Sequence, residues 1–334
     1  VRARGTGILG TGSYLPKHEV ASVELAERMG IDPSWIERKT QIASRRYAAP
    51  DEATSDLAVK AAERALAQSG LSADQLAYVI VSTSTGDSPQ PPTSYLVQDA
   101  LGATQAACFD VNVVCSGFVY ALALAHSLLA VGGEDHYALV IGADVYSRSL
   151  DFDDRRTAVL LGDGAGAAVV GPAPEGTGFL AFDLSSFGSA HGLIHVAAGG
   201  SRLPASAETV AAGGHFFRMD GRGVRDFVFE HVPPAMRGLA ERAGVGLDDV
   251  DHFVPHQPNG VLLSELVQRC GLAGAHTCRT LERYGNVGSA SVPVTLDDAN
   301  REGRLRPGDL VLLAGFGGGM SLGASLLRWG PAQQ

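Results

Sequence analysis

Apolar residues fall along this chain in short unbroken runs separated by stretches of helical spacing, the alternation of buried strands with the helices that cover them. Residues 76–82 (LAYVIVS), 137–143 (YALVIGA), 251–255 and 310–314 (LVLLA) are such runs, each bounded by glycine, proline or acidic turn residues. Further strands are expected near 7–9, over 109–114, over 167–170 and, as an edge or final strand, over 321–329. Apolar positions three and four apart predict helices over 23–29, 33–38, 54–69, 93–101, 117–129, 224–243, 260–270 and 289–300. Gly86, Pro89, Pro91 and Pro92 mark residues 83–92 as a loop. Pro233-Pro234 predict a kink or break in the helix around them, because proline removes a backbone donor and crowds the preceding turn.

The order of these elements occurs twice. GLSADQLAYVIVSTST from Gly70 parallels GVGLDDVDHFVPHQPN from Gly244, YALVIGADV parallels DLVLLAGFG, and GAGAAVVG parallels SLGASLLRWG. A repeat of this length implies two duplicated α/β halves. They are expected at 1–171 and 219–334, joined by a Gly-, Ala- and Ser-rich connector at 172–218 with short strands of its own. Loops from both halves then face one shared crevice.

Composition narrows the partners. The 334 residues are 45% apolar and 19% charged, a globular balance, with a net charge of −10 from 26 basic and 36 acidic residues. No lysine or arginine run is long enough to track phosphates, so neither nucleic acid nor an anionic membrane is an expected partner. VRARGTGILG lacks the apolar core of a secretory signal, and no apolar run is expected to span a bilayer. Four scattered cysteines do not make a disulfide framework, and a reducing cytoplasm is the expected location. Cys270 and Cys278 flank His276 at a spacing that matches no common zinc pattern, so no metal is expected. GDGAG at 162–166 is followed by a strand rather than a helix; close backbone approach explains its glycines better than a dinucleotide fingerprint.

Three residue types carry candidate chemistry. Cys115 sits at the joint between the strand 109–114 and the helix that follows, where unpaired N–H groups and the helix dipole are expected to ease formation of its thiolate. His256 ends a strand of the second half, and Asn286 lies in a glycine-bounded loop before a helix. Each has an ordinary structural use, as a small buried apolar group, a satisfied histidine and a turn residue. Together they have the makings of acyl chemistry, in which a sulfur nucleophile needs basic or electrophilic neighbours.

From Gly7 to Trp329 the chain resembles the ketoacyl synthase III group of the thiolase-like superfamily. The resemblance is carried, in order, by GTGSYLP at Gly10, WIERKTQI at Trp35, VNVVCSGF around Cys115, DRRTAVLLGDGAGAAV at Asp154, VPHQPN, YGNVGSASVP and LLAGFGGGMSLG. It implies a thiolase-like α/β fold in which two pseudo-symmetric halves form a five-layered αβαβα sandwich. It implies an acyltransferase in which Cys115 takes an acyl group from a thioester, with the N–H groups of Cys115 and Gly318 as oxyanion hole. His256 and Asn286 would stabilise the enolate formed when a malonyl-thioester loses carbon dioxide. Phe316 would support the cysteine end of the acyl pocket, and Gln90 would reach the acyl pocket of a second subunit in a homodimer. The resemblance further implies no permanently bound cofactor. Coenzyme A or phosphopantetheine would enter as part of the substrates, acyl-CoA or acyl-carrier protein and malonyl-carrier protein, in the start of fatty acid, polyketide or antibiotic synthesis. Trp35, Lys39 and Arg155 would line the coenzyme A site.

Departures from the family pattern cluster at substrate contacts. Lys39 stands where an arginine is usual, Gln41 replaces the glycine of TGI, Gly260-Val261 follow Asn259 where an arginine is common, and Gln90 takes a phenylalanine position. Arg225 and Arg269 remain as candidate contacts for an acidic carrier protein. Two other readings stay open: acyl transfer to a hydroxyl or amine with His256 as base, and an inactive partner subunit. Chalcone synthases carry proline in the glycine loop and hydroxymethylglutaryl synthases a catalytic glutamate, and neither feature is evident here.

Overall fold

The computed structural model describes residues 5–132 and 136–330. The first half runs β1 (Thr6–Tyr14), β2 (His18–Ala21), α1 (Ser22–Met29), α2 (Pro33–Thr40), β3 (Ser44–Tyr47), α3 (Thr54–Ser69), β4 (Leu76–Ser82), α4 (Thr93–Leu101), β5 (Ala107–Val111), α5 (Gly117–Val131), β6 (Tyr137–Val145) and β7 (Asp163–Pro172). The second runs β8 (Gly178–Ser186), β9 (Ile194–His195), α6 (Ala207–Ala211), β10 (Arg218–Met219), α7 (Gly221–Ala243), β11 (His252–Pro255), α8 (Gly260–Cys270), β12 (His276–Thr277), α9 (Leu281–Tyr284), α10 (Ser291–Arg301), β13 (Leu310–Gly317) and β14 (Ser321–Arg328).

Ten strands form two five-stranded mixed sheets, ordered β1-β7-β6-β4-β5 and β8-β14-β13-β11-β12, while β2 pairs with β3 and β9 with β10. Adding seven to each strand number of the first sheet gives the second, and the strand directions agree: β4 is parallel to β5 and β6, as β11 is to β12 and β13, while the other pairs are antiparallel. The sequence repeat is therefore a repeat of topology. Helices α3 and α4 cover the outer face of the first sheet and α7 and α8 that of the second, while α5 and α10 lie between the sheets and touch both. This is the five-layered order αβαβα.

A helix caught between two sheets has no polar face to offer, which explains the composition of α5. Phe118, Val119, Leu122 and Ala125 are buried in one apolar cluster with residues of both sheets, such as Ile80 and Val140 on one side and Val311 and Leu313 on the other. Each fully buried side chain of this size contributes about 1.5–3 kcal/mol. The window Val114–Val131 is in fact long and apolar enough to cross a bilayer, contrary to the sequence expectation, but it is the core helix of this sandwich.

Other differences from expectation have local causes. The connector expected at 172–218 contains β8, which pairs with β14 along its whole length, so the second sheet begins at Gly178 rather than 219. For the same reason β14 is an interior strand, not an edge. Helix α7 passes through Pro233 and Pro234 unbroken, because Phe227, Val228, Val232, Met236 and Leu239 are buried against the second sheet and outweigh the lost donors. The strand expected over 109–114 ends at Val111, and residues 112–116 become the turn that carries Cys115.

Close approach of backbones brings the second half's loop to the first sheet. A side-chain carbon added to Gly166 on β7 would lie 2.6 Å from the Val294 nitrogen, and one added to Gly142 on β6 would lie 2.4 Å from the Ser289 carbonyl oxygen. The start of α10 thus rests directly on β6 and β7, as the reading of GDGAG as a close-approach motif expects. Gly166→Ala is expected to lower unfolding stability by about 1–3 kcal/mol through overpacking. Urea unfolding checks this as a lower midpoint at an unchanged slope.

Candidate active site

Cys115 is carried by the short turn Val114–Ser116 between β5 and α5. Val114 there has φ of 47°, the left-handed region that a β-branched side chain avoids, at a cost of about 1–3 kcal/mol. The turn is held from the second half: the Ser116 hydroxyl donates to the Ser321 carbonyl at 3.1 Å, and the Ser321 hydroxyl donates back to Ser116 Oγ at 3.0 Å. The glycine loop after β13 lies against the sulfur. A side-chain carbon at Gly317, whose φ is 150°, would lie 3.0 Å from Cys115 Sγ, and one at Gly318 would lie 2.8 Å from Val114 Cγ1. Glycine alone leaves room for backbone N–H groups to reach the nucleophile.

The N–H groups of Gly318 and of Cys115 itself favour the thiolate. They oppose a larger effect: burial pushes the thiol up from its ordinary value to about 12, and the nearby Asp144 carboxylate adds to the rise. The expectation of an easily formed thiolate is overturned here. A helix N-terminus favours negative charge, but removing the sulfur from water costs more than that dipole returns. Cys115 rests as a thiol.

His256 follows β11 and is fixed by its backbone N–H, which donates to the Ala314 carbonyl at 2.6 Å, and by an edge-to-face contact of its ring with Phe316 at 5.5 Å. Its Nδ1 is buried and has no hydrogen-bond partner among the described residues. Burial pulls the imidazole down to about 3, so it is neutral at physiological pH.

Asn286 is anchored across the two halves. Its N–H donates to the Leu160 carbonyl at 2.8 Å, and its carbonyl accepts from the Gly162 N–H at 2.9 Å. Its side-chain Oδ1 accepts from the Gly288 N–H at 2.9 Å, which turns the amide N–H2 end away from that contact.

One cavity of about 410 Å³ is lined by Cys115, His256, Asn286 and Phe316 at its inner end and by Trp35, Lys39 and Arg155 at its mouth. The Arg155 guanidinium lies over the Trp35 ring, 5.1 Å from its centre. Gly318 instead lines a second cavity of about 470 Å³ that shares Val114, Tyr146, Ile194 and Phe217 with the first. Gln90 is exposed and lines neither. Also at the mouth, Glu265 pairs with Arg225 at 3.2 Å and with Arg269 at 2.7 Å, and both arginines lie over the Phe229 ring. Gln41 ends α2 with φ of 60° and accepts from Arg279 at 2.6 Å. A side-chain carbon at the neighbouring Gly260 would lie 2.5 Å from its Oε1.

Sequence reasoning did not single out Tyr146, Ile194 or Phe217, which wall the cavity, because apolar wall residues look like any core residues. Nor did it find the strained Val114, whose conformation has no signature in residue type. Among the described residues no group of three or more His, Cys, Asp or Glu side chains is placed to hold a metal ion.

Residues 109–188 match the family model for 3-oxoacyl-[acyl-carrier-protein] synthase III, and residues 240–329 match the model for the C-terminal part of the same enzyme. The chain is 52% identical over 325 residues to acetoacetyl CoA synthase NphT7 of Streptomyces sp. strain CL190, covering 96% of this chain and 98% of that one. It is 43% identical over 330 residues to beta-ketoacyl-[acyl-carrier-protein] synthase III of Symbiobacterium thermophilum, covering 99% of this chain and 100% of that one. The crystal structure of the priming beta-ketosynthase from the R1128 polyketide biosynthetic pathway superposes with a TM-score of 0.92 at 34% identity, covering 99% of this chain and 98% of the other.

With a thiol pushed up by burial, alkylation of Cys115 by iodoacetamide in the substrate-free protein is expected to be slow near neutral pH. It should climb about tenfold per unit between about pH 7 and about pH 10 without levelling, since thiolate is the reacting form. A plateau below about pH 9 in the rate, followed by intact mass, would place the thiol at or below its ordinary range.

Proposed function

The chain belongs to the 3-oxoacyl-[acyl-carrier-protein] synthase III family, an acyltransferase on the thiolase-like fold, and on that premise we propose that Cys115, His256 and Asn286 carry out an initiating decarboxylative condensation. The observation that carries this reading is the single cavity lined by Cys115, His256 and Asn286, which sets a thiol, a neutral imidazole and an oriented carboxamide around one space.

In the first half-reaction, Cys115 Sγ attacks the carbonyl carbon of an acyl-thioester. Negative charge moves to the carbonyl oxygen, where the N–H groups of Cys115 and Gly318 receive it, each donor lowering the barrier by a few kcal/mol (about 2.7–4). The carbon–sulfur bond to the donor breaks, and the proton from Cys115 ends on the departing thiol. In the second, a malonyl-thioester loses carbon dioxide and its electron pair passes to the thioester oxygen as an enolate. His256 and Asn286 donate to that oxygen as neutral N–H groups, which stabilise charge without protonating the carbon. The enolate carbon attacks the acyl carbonyl, the bond to Cys115 breaks, and the sulfur regains a proton from solvent as the 3-oxoacyl thioester leaves.

The pocket argues against acyl transfer to a hydroxyl or amine. A general base works best near the operating pH, whereas His256 is held at about 3 and no carboxylate backs its Nδ1 among the described residues. The mouth favours extender units carried on coenzyme A. The Arg155 guanidinium now lies over the Trp35 ring, and an adenine would stack on that ring once the guanidinium draws back, with Lys39 as a cation for phosphate. Arg225 and Arg269, the candidate contacts for a carrier protein, share Glu265 as a carboxylate partner. The relative named acetoacetyl CoA synthase fits the same choice. Gln90, exposed and lining neither cavity of its own chain, would reach the acyl pocket of a partner copy in a homodimer.

Incubation with acetyl-CoA is expected to add one acetyl group to the wild-type chain and none to Cys115→Ala, read by intact mass. Addition of malonyl-CoA should then discharge the acyl-enzyme as a 3-oxoacyl-CoA, with kcat/KM at least about tenfold above that for malonyl-carrier protein. Discharge onto an alcohol or amine but not onto malonyl-thioester would defeat the condensation reading. Preference for the carrier-bound extender would defeat the coenzyme A assignment alone.

A further inference from the structure

Asp144 near the end of β6 is fully buried, forms no ion pair among the described residues, and lines neither cavity. Its carboxylate is held by hydrogen bonds from both halves of the molecule. Oδ1 accepts from the Ser84 N–H at 2.9 Å, from the Ser84 hydroxyl at 3.0 Å, from the Thr85 hydroxyl at 2.8 Å and, more weakly, from Thr83 at 3.3 Å. Oδ2 accepts from the Ser289 N–H at 2.8 Å and from the Ser289 hydroxyl at 2.7 Å.

Ser289 belongs to the turn that orients Asn286. Between them lies Gly288, whose N–H holds Asn286 Oδ1 and whose φ of 58° lays the turn directly on the carboxylate: a side-chain carbon there would lie 2.4 Å from Asp144 Oδ2. The contacts run without a gap from Asp144 Oδ2 to the Ser289 N–H, through Gly288, to the carboxamide of Asn286.

We propose that Asp144 is a positioning residue for the decarboxylation half-reaction, fixing the direction in which the Asn286 amide points. It touches no substrate, and the proposal rests on the reading of Asn286 as an enolate donor. A carboxylate is required because each of its oxygens accepts from a backbone N–H that cannot turn away, that of Ser84 on one side and that of Ser289 on the other. Asparagine offers an acceptor at only one end and sets N–H against N–H at the other, which displaces either the loop after β4 or the turn that holds Asn286.

The test separates the two half-reactions in Asp144→Asn, Asn286→Ala and the double variant. Acylation by acetyl-CoA is followed by intact mass, and decarboxylation by carbon dioxide release from malonyl-CoA. Asp144→Asn is expected to slow decarboxylation by about tenfold to a hundredfold, the range for a misplaced catalytic group, with acylation not slowed, since removing a charge that raises the Cys115 thiol can only ease its ionisation. The double variant should decarboxylate no more slowly than Asn286→Ala alone, because both changes remove the same oriented donor. Multiplying effects, or acylation falling as far as decarboxylation, would overturn the proposal. Wild-type decarboxylation in Asn286→Ala alone would instead show that the reading of Asn286 is at fault, and the proposal would fall with it. If Asp144→Asn does not fold, Ser289→Ala removes one donor from Oδ2 and leaves the backbone bond. A smaller loss confined to decarboxylation supports the role, and an unchanged rate overturns it.

Discussion

The chemistry depends on a layer that the two halves own jointly. Helices α5 and α10 are packed between two sheets of the same topology, and the turns that open them, one with Cys115 and the other just after Asn286, touch each other. Neither half could bury its inner helix alone, so the apolar cluster that closes the sandwich also brings the sulfur and the carboxamide together. Positioning of the site and stability of the core are one arrangement seen from two sides.

That arrangement determines the charge state of the reactive groups. Because the inner end of the cavity is enclosed by core elements, burial holds the thiol protonated and the imidazole neutral. The same exclusion of water strengthens each N–H aimed at the cavity, since the field of a donor is screened less in a low-dielectric site. The structure thus gives up a ready-made thiolate and gains a set of fixed neutral donors where charge develops.

Much of this was legible in the sequence, and the reasons for the rest are physical. Unbroken apolar runs such as LAYVIVS announced interior strands, and the helix bounds 54–69, 93–101 and 260–270 followed from apolar spacing. Cys115, His256 and Asn286 stood out by residue type and motif, and the fold brings all three to one cavity. The thiol's protonation was misjudged because a helix end is local and visible in sequence, whereas burial is a property of the whole fold. Asp144 was passed over for a related reason: an acidic residue in GADV is notable only once Ser84 and Ser289, far apart along the chain, are seen to share it. Pro233 and Pro234 misled because helix-breaking tendency is weighed against tertiary burial only in the folded molecule.

The contact between Gly260 and Gln41 constrains how this family member can drift. Any side chain at 260 collides with the Gln41 amide, and Gln41, not glycine, occupies a left-handed position whose Oε1 is engaged by Arg279. A larger residue at 260 forces the Gln41 side chain, and with it the Arg279 contact, to give way, so the two positions are coupled. The shape of the mouth is therefore set by the pair rather than by either residue alone.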